Sequence, residues 1–178
     1  VDRSRGLGDV YKRQDLLVTG SGPAGLSSAY AAAKNGAKVI LAEDKPRFGG
    51  SLLTDDVTID NLSGKAWTDK IITQLKEMPN VIVKNRSQVF GYYDHNMTVM
   101  IERTGDHLKD KPKYVPRQRL WYIRAKEVIL STGSIERPIV FGNNDTPGVF
   151  LSAAAKEYIK VYGVLVGKKP LIFTNNDL

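Results

Sequence analysis

Apolar residues along this chain fall first into short continuous runs and then into alternating ones. Leu16-Leu17-Val18 and Val39-Ile40-Leu41-Ala42 are runs of strand length. Between them Leu26 to Ala33 is dominated by alanine and serine, a composition that lets a helix lie close against a strand. The pattern predicts a strand over 15–19, a helix over 23–35 and a strand over 38–43. Gly36 is the expected helix stop. A second helix is predicted over 66–78, where Trp67, Ile71, Leu75 and Met78 fall near one face, and Pro79-Asn80 ends it. Val81-Ile82-Val83 reads as a third buried strand. Strands alternating with helices imply parallel pairing through right-handed crossovers.

The rhythm then changes. Residues 88–93, 97–103 and 120–124 are β-prone and close together, with turn signals at Asp94-His95-Asn96 and Thr104-Gly105-Asp106. They read as an antiparallel meander inserted between parallel strands, with 109–118 an exposed loop. Glu127–Leu130 returns as a parallel strand, 152–162 as a helix closed by Gly163, and 167–174 as a further strand. The expected fold class is α/β: one domain over 15–165 with a parallel sheet and a β insert near 87–125. Residues 166–178 are expected to open a second, truncated domain.

Between the first strand and the first helix stands Gly20-Ser21-Gly22-Pro23-Ala24-Gly25. A glycine loop in that position is a dinucleotide pyrophosphate site. Gly20 permits the turn, Gly22 lets the backbone approach the pyrophosphate, and Gly25 lets helix and strand pack closely. The helix N-terminus offers unpaired N–H groups to the phosphates. Glu43 ends the second strand, 18 residues after Gly25, where an acid grips an adenosine ribose by its hydroxyls. It would repel a 2′-phosphate, which favours FAD or NAD over NADP. The competing reading of Glu43 is an exposed carboxylate at a strand end. Phe48-Gly49-Gly50 suits close approach to a ribose or ribityl group, against a plain flexible loop. The apolar strand ending Ser131-Thr132-Gly133, with Pro138 beyond, carries backbone past the same ligand, so Thr132 and Gly133 join the expected cofactor-binding set. The domain over 15–165 is therefore expected to be a Rossmann-like FAD/NAD(P)-binding domain, and 166–178 the start of a truncated second nucleotide-binding-like one.

Composition narrows the function classes. The 178 residues suffice for one domain with a sizeable core, and no apolar run approaches a membrane span. There is no cysteine, so disulfide, thiolate-metal and thiol-redox chemistry are excluded from this stretch. The net charge of +7 is spread out, with small clusters at 109–113 and 117–124, and lacks the dense basic stripe of a nucleic-acid binder. No secretory signal is visible, and the cytoplasm is the default compartment. Residues 1–14, VDRSRGLGDVYKRQ, show no period and no apolar face; they read as a non-native leader, the remainder as part of a longer protein. His95 and His107 lie at turns without partners, so each reads as a solvent-facing histidine. Asp55, Asp56 and Asp60 lack the calcium-loop pattern, and no metal site is expected. Trp67 and Trp121 read as core or interface. With no nucleophile–base pair, the catalytic residues are unknown and any chemistry belongs to a cofactor.

The glycine loop, Glu43, Phe48-Gly49-Gly50 and Ser131-Thr132-Gly133 together resemble the two-dinucleotide-binding-domain flavoproteins. Residues 89–96 (VFGYYDHN), Arg117-Gln118-Arg119-Leu120-Trp121, Ile135-Glu136-Arg137-Pro138 and Thr174-Asn175-Asn176-Asp177 are similar to the alpha subunits of heterotetrameric sarcosine oxidases. The resemblance covers about 15–178. It implies oxidative demethylation of sarcosine to glycine, with formaldehyde or methylene-tetrahydrofolate and hydrogen peroxide formed. It also implies NAD at the 20–25 loop, with FMN and the amine-oxidising FAD elsewhere in a hetero-oligomer that includes a beta subunit, and an amine substrate. This stretch alone would then be inert. The rival readings are a subunit of an FAD-dependent amine or opine dehydrogenase, with FAD at the loop, and a scaffold whose NAD is structural. Thr174-Asn175-Asn176-Asp177 lacks the second glycine loop of disulfide reductases, which argues against NAD(P)H binding there.

Overall fold

A computed structural model describes residues 7–110 and 114–175 of the chain. Its centre is a six-stranded sheet in the order β5-β2-β1-β8-β7-β6. In chain order the elements are β1 (Leu7–Thr19), α1 (Pro23–Lys34), β2 (Val39–Ala42), the hairpin β3 (Thr58–Ile59) and β4 (Leu62–Ser63), and α2 (Gly64–Glu77). Then come β5 (Val81–Lys84), β6 (Ser87–Tyr93), β7 (Met97–Arg103), β8 (Gln118–Leu130) and α3 (Ser152–Lys160). Strands β5, β2, β1 and β8 are parallel, while β8, β7 and β6 pair antiparallel. The fold is α/β, a mostly parallel sheet extended by an antiparallel meander.

The apolar runs are continuous because both faces of the parallel strands are covered. Leu16, Val18, Val39 and Leu41 turn to one face, where they meet Leu26, Ala29 and Ala33 of α1 and Trp67, Ile71, Ile72 and Leu75 of α2. Leu17, Ile40 and Ala42, one residue out of phase, turn to the other and meet Met100, Trp121, Ile123 and Ala125 of the meander. Helices, sheet and meander thus form three layers with two cores. Each fully buried Leu or Ile contributes about 1.5–3 kcal/mol. Helix α2 is capped at its start by the Ser63 side chain, which accepts from the Ala66 amide.

Four expectations are corrected. The first strand begins at Leu7, not Asp15, because the 118–125 half of β8 offers a parallel partner along its length. Val10 packs toward the meander core and Tyr11 stacks on Tyr122, ring centroids 4.8 Å apart. The expected strands 120–124 and 127–130 are one strand, β8, since nothing at Ala125-Lys126 breaks it; its two edges serve β1 and β7. The loop after Glu43 contains the β3–β4 hairpin, closed by Asp60 and Asn61, both at positive φ, as a two-residue primed turn requires. No strand forms over 167–174: among the described residues this segment finds no neighbouring strand, and Leu171 and Ile172 are exposed. Residues 111–113 of the expected loop, part of the 109–113 basic cluster, Asn176 and Asp177, and 1–6 of the expected leader lie outside the described residues.

Candidate functional site

Register decides where the loops meet. Thr19 lies level with Ala42 on one side and Leu130 on the other. Three chain segments therefore leave the sheet together at its carboxyl edge: Gly20–Gly25, Glu43–Gly50 and Ser131–Gly133. This is the edge at which open parallel sheets bind ligands.

The three loop glycines have different reasons to be glycine. Gly20 has φ +98°, and a Cβ there would stand 2.2 Å from the Ser131 carbonyl oxygen. A Cβ on Gly25 would stand 1.9 Å from the Gly20 carbonyl oxygen. Packing explains both. Gly22 differs: its angles, φ −67° and ψ −177°, are open to any residue, and an added Cβ would meet no protein atom within 4 Å. Neither conformation nor packing requires glycine there.

Gly22 is also the N-cap of α1, so no side chain caps this helix, and Pro23 occupies its first position. Pro23 and Ala24 are exposed, and no acid lies in the first turn. The N-terminal amides of a 12-residue helix thus face the sheet edge without a side-chain acceptor. The hydroxyl of Thr19, just before the loop, is the one buried side-chain polar atom among the described residues without a hydrogen-bond partner. These features fit the diphosphate of a dinucleotide.

Glu43 is buried, not the exposed carboxylate of the competing reading. Its Oε2 accepts from the Ser21 amide at 2.9 Å and from the Ser21 hydroxyl, and its Oε1 accepts from the Lys45 amide at 3.0 Å. Burial, followed by the neighbouring Asp44 carboxyl, pushes its pKa up, against the hydrogen bonds from Ser21 and Lys45. Gly49 is buried at φ +123°, and its amide donates to the Ser21 carbonyl and hydroxyl oxygens, each at 3.1 Å. Gly50, at φ +54°, brings its backbone against Gly22: a Cβ there would lie 3.1 Å from the Gly22 Cα.

Thr132 and Gly133 are exposed, with Gly133 at φ +75°. It is Ser131 that ties this arm to the loop: its amide donates to Thr19 O at 2.8 Å, and its hydroxyl to Thr19 O and Gly20 O at 2.9 and 3.1 Å. Ser21 and Ser131 are absent from the expected set. Their places inside G-S-G and S-T-G were the one signal, and it names no partner for either hydroxyl.

Beyond this edge α3 bridges two of the arms. Glu136, three residues after Gly133, accepts from the amides of Ser152 and Ala153 and the Ser152 hydroxyl at 2.8–3.2 Å; these bonds, led by the Ala153 amide, hold its carboxyl below the usual range. The helix then pairs with the other arm through Glu157–Lys45, Lys156–Asp55 and Lys160–Asp56, each at 2.8–3.0 Å. Asp60 accepts from the Trp67 indole at 3.2 Å, so the three aspartates have structural partners. No group of three or more potential metal-ligating side chains occurs among the described residues. His95 and His107 are exposed, His95 at φ +59° in the β6–β7 turn. Trp67 and Trp121 are buried, each in one of the two cores. No helix among the described residues is long and apolar enough to cross a membrane.

The family model for FAD dependent oxidoreductases matches residues 15–100, the stretch that contains the glycine loop, Glu43 and Gly49-Gly50. The chain is 41% identical to sarcosine oxidase subunit alpha of Rhizobium meliloti (strain 1021), over 99% of this chain and 19% of that protein. It is also 41% identical to sarcosine oxidase subunit alpha of Corynebacterium sp. (strain P-1), over 94% of this chain and 18% of that one. The chain thus spans about a fifth of the length of these relatives. Among solved structures, L-proline dehydrogenase from P. horikoshii superposes with a TM-score of 0.72 at 25% identity, over 89% of this chain and 30% of that one. By sequence along nearly its whole length, the chain belongs to the sarcosine oxidase alpha-subunit family, within the FAD-dependent oxidoreductases.

Proposed function

We propose that this chain is the nucleotide-binding part of the alpha subunit of a sarcosine-oxidase-type complex, and that it holds the ADP half of a dinucleotide, NAD or FAD, on Gly20–Gly25. The observation that carries this reading is Gly22, whose lack of a side chain neither backbone angle nor packing explains. In the reading, the uncapped amides of α1 receive the diphosphate and Gly22 and Gly50 let it approach the backbone. Glu43 accepts from the adenosine ribose, and its charge disfavours a 2′-phosphate. Thr132 and Gly133 flank the ligand from the third arm. NAD and FAD share this half, and the residues described make no distinction between them.

The reaction we assign to the whole complex is oxidation of the C–N bond of sarcosine to an imine, with O2 reduced to hydrogen peroxide; water then hydrolyses the imine to glycine and formaldehyde, the latter released or captured as methylene-tetrahydrofolate. A flavin supplies that chemistry by accepting a hydride from carbon, and we place the reacting FAD and an FMN outside this stretch, in an assembly with a beta subunit. The described residues contribute binding and orientation, and we assign none of them a proton-transfer or nucleophilic role. Mass spectrometry of the small molecule released from the purified full chain tests the reading. NAD or FAD is the expected result; NADP, or no dinucleotide, overturns it.

A further inference from the structure

Ser21 has no exposed surface, and every polar atom it carries is engaged. A hydroxyl has one proton to give and two lone pairs. The proton of Ser21 goes to Glu43 Oε2, joined there by the Ser21 amide, and a lone pair receives the Gly49 amide. One side chain therefore joins the glycine loop, the end of β2 and the second glycine arm. A carboxylate accepts about four hydrogen bonds. Ser21 supplies two, both on Oε2, and the Lys45 amide one on Oε1. This fixes the carboxylate plane and leaves its remaining acceptor capacity on Oε1. The neighbouring Asp44 carboxyl adds to the repulsion of any further negative charge brought to this place.

We infer that Ser21 is a positioning residue for ribose recognition: its hydroxyl aims the Glu43 carboxylate, so that the preference for a ribose over a 2′-deoxyribose passes through a side chain that need not touch the sugar. The inference rests on the reading of Glu43 as the ribose acceptor. Without the Ser21 hydroxyl, Oε2 keeps only the backbone amide, the carboxylate can rotate, and the Gly49 amide keeps only the Ser21 carbonyl.

The test measures, on the full chain, the affinities of FAD and NAD and of their 2′-deoxyadenosine analogues. A hydrogen bond to a charged acceptor predicts a wild-type preference for the ribose forms of about tenfold or more. E43A is expected to abolish it. S21A is expected to cut it to within about threefold of unity, with a melting curve showing that the chain still folds. Ser21→Cys, similar in size and a poorer hydrogen-bonding group, is expected to fall between and serves if S21A does not fold. If the wild type shows no preference, the reading of Glu43 fails and the inference with it. If E43A removes the preference while S21A and Ser21→Cys keep it, the reading of Glu43 stands and the inference is overturned. A loss of affinity that is equal for both sugars in the Ser21 variants also overturns it, because a merely structural role would lower both together.

Discussion

The glycines at 22 and 25 occupy one motif and predict opposite phenotypes. Gly25→Ala drives a Cβ to 1.9 Å from backbone oxygen and is expected to cost more than about 3 kcal/mol, read as a large fall in denaturation midpoint. Gly22→Ala places its methyl in open space, so the loss should be about 1 kcal/mol, from exchanging glycine for alanine at an N-cap. Dinucleotide affinity should still fall at least about tenfold as the diphosphate is pushed off the amides. Glu43 makes a separate prediction. Its pKa is raised in the folded chain, burial being the first cause, so the folded state holds this proton more tightly than the unfolded one. The contribution from this site is fully present below the ordinary glutamate range and is lost as pH rises through the folded value. Urea unfolding from acid to neutral pH should show wild type losing stability relative to E43Q over that window; an opposite slope would refute the assignment. The motif glycines were legible because their spacing carries their geometry. Ser21 and Ser131 were not, because a serine's role depends on which amides and carboxylates tertiary folding brings to it.

At the level of elements, α3 is attached unusually. It has no buried residue, and its described ties to the arms are the Glu136 cap and three ion pairs, with Arg47 donating to the Val161 carbonyl just beyond its end. Exposed ion pairs are screened by salt, and apolar packing is not. Hydrogen exchange should therefore accelerate in α3 by roughly threefold or more between low salt and 1 M NaCl, while α1, which is packed in the core, stays unchanged. Equal protection at both salt levels would show that packing holds the helix. Reversing the pair Lys160–Asp56 in a double variant should restore the low-salt protection that either single reversal removes. Helix α3 itself was expected over 152–162, closed by Gly163. Its charge partners were not, since Asp55 and Asp56 lie about a hundred residues earlier. The full lengths of β1 and β8 were hidden for a related reason. Residues 7–14 show no apolar face and went with the expected leader, 120–124 and 127–130 read as two strands, and only the mutual pairing of the two segments reveals their extent.

Across the whole molecule, burial is uneven. The two cores draw on residues up to Ile129, while Ile135, Val140, Leu165, Leu171 and Ile172 are largely exposed. Leu17→Ala, at a position with no exposed surface between sheet and meander, should cost about 2–5 kcal/mol. Ile135→Lys and Leu165→Lys should change stability by no more than about 0.5 kcal/mol; a large loss at either would show that these side chains are covered in solution. The βαβ order and the antiparallel meander were readable from the sequence because hydrophobic period and turn residues are local signals. The absence of a strand at 167–174 was not, because a strand exists only where another supplies its hydrogen bonds. The unbroken β8 has a last consequence, for anyone who would treat the meander as an exchangeable cassette. Its final strand is also the neighbour of β1 and ends at Leu130, one residue before the Ser131 that bonds to Gly20. A cut on the amino-terminal side falls in a turn, but no cut on the other side spares the glycine loop, so the meander can be redecorated at its outer edge and cannot be transplanted.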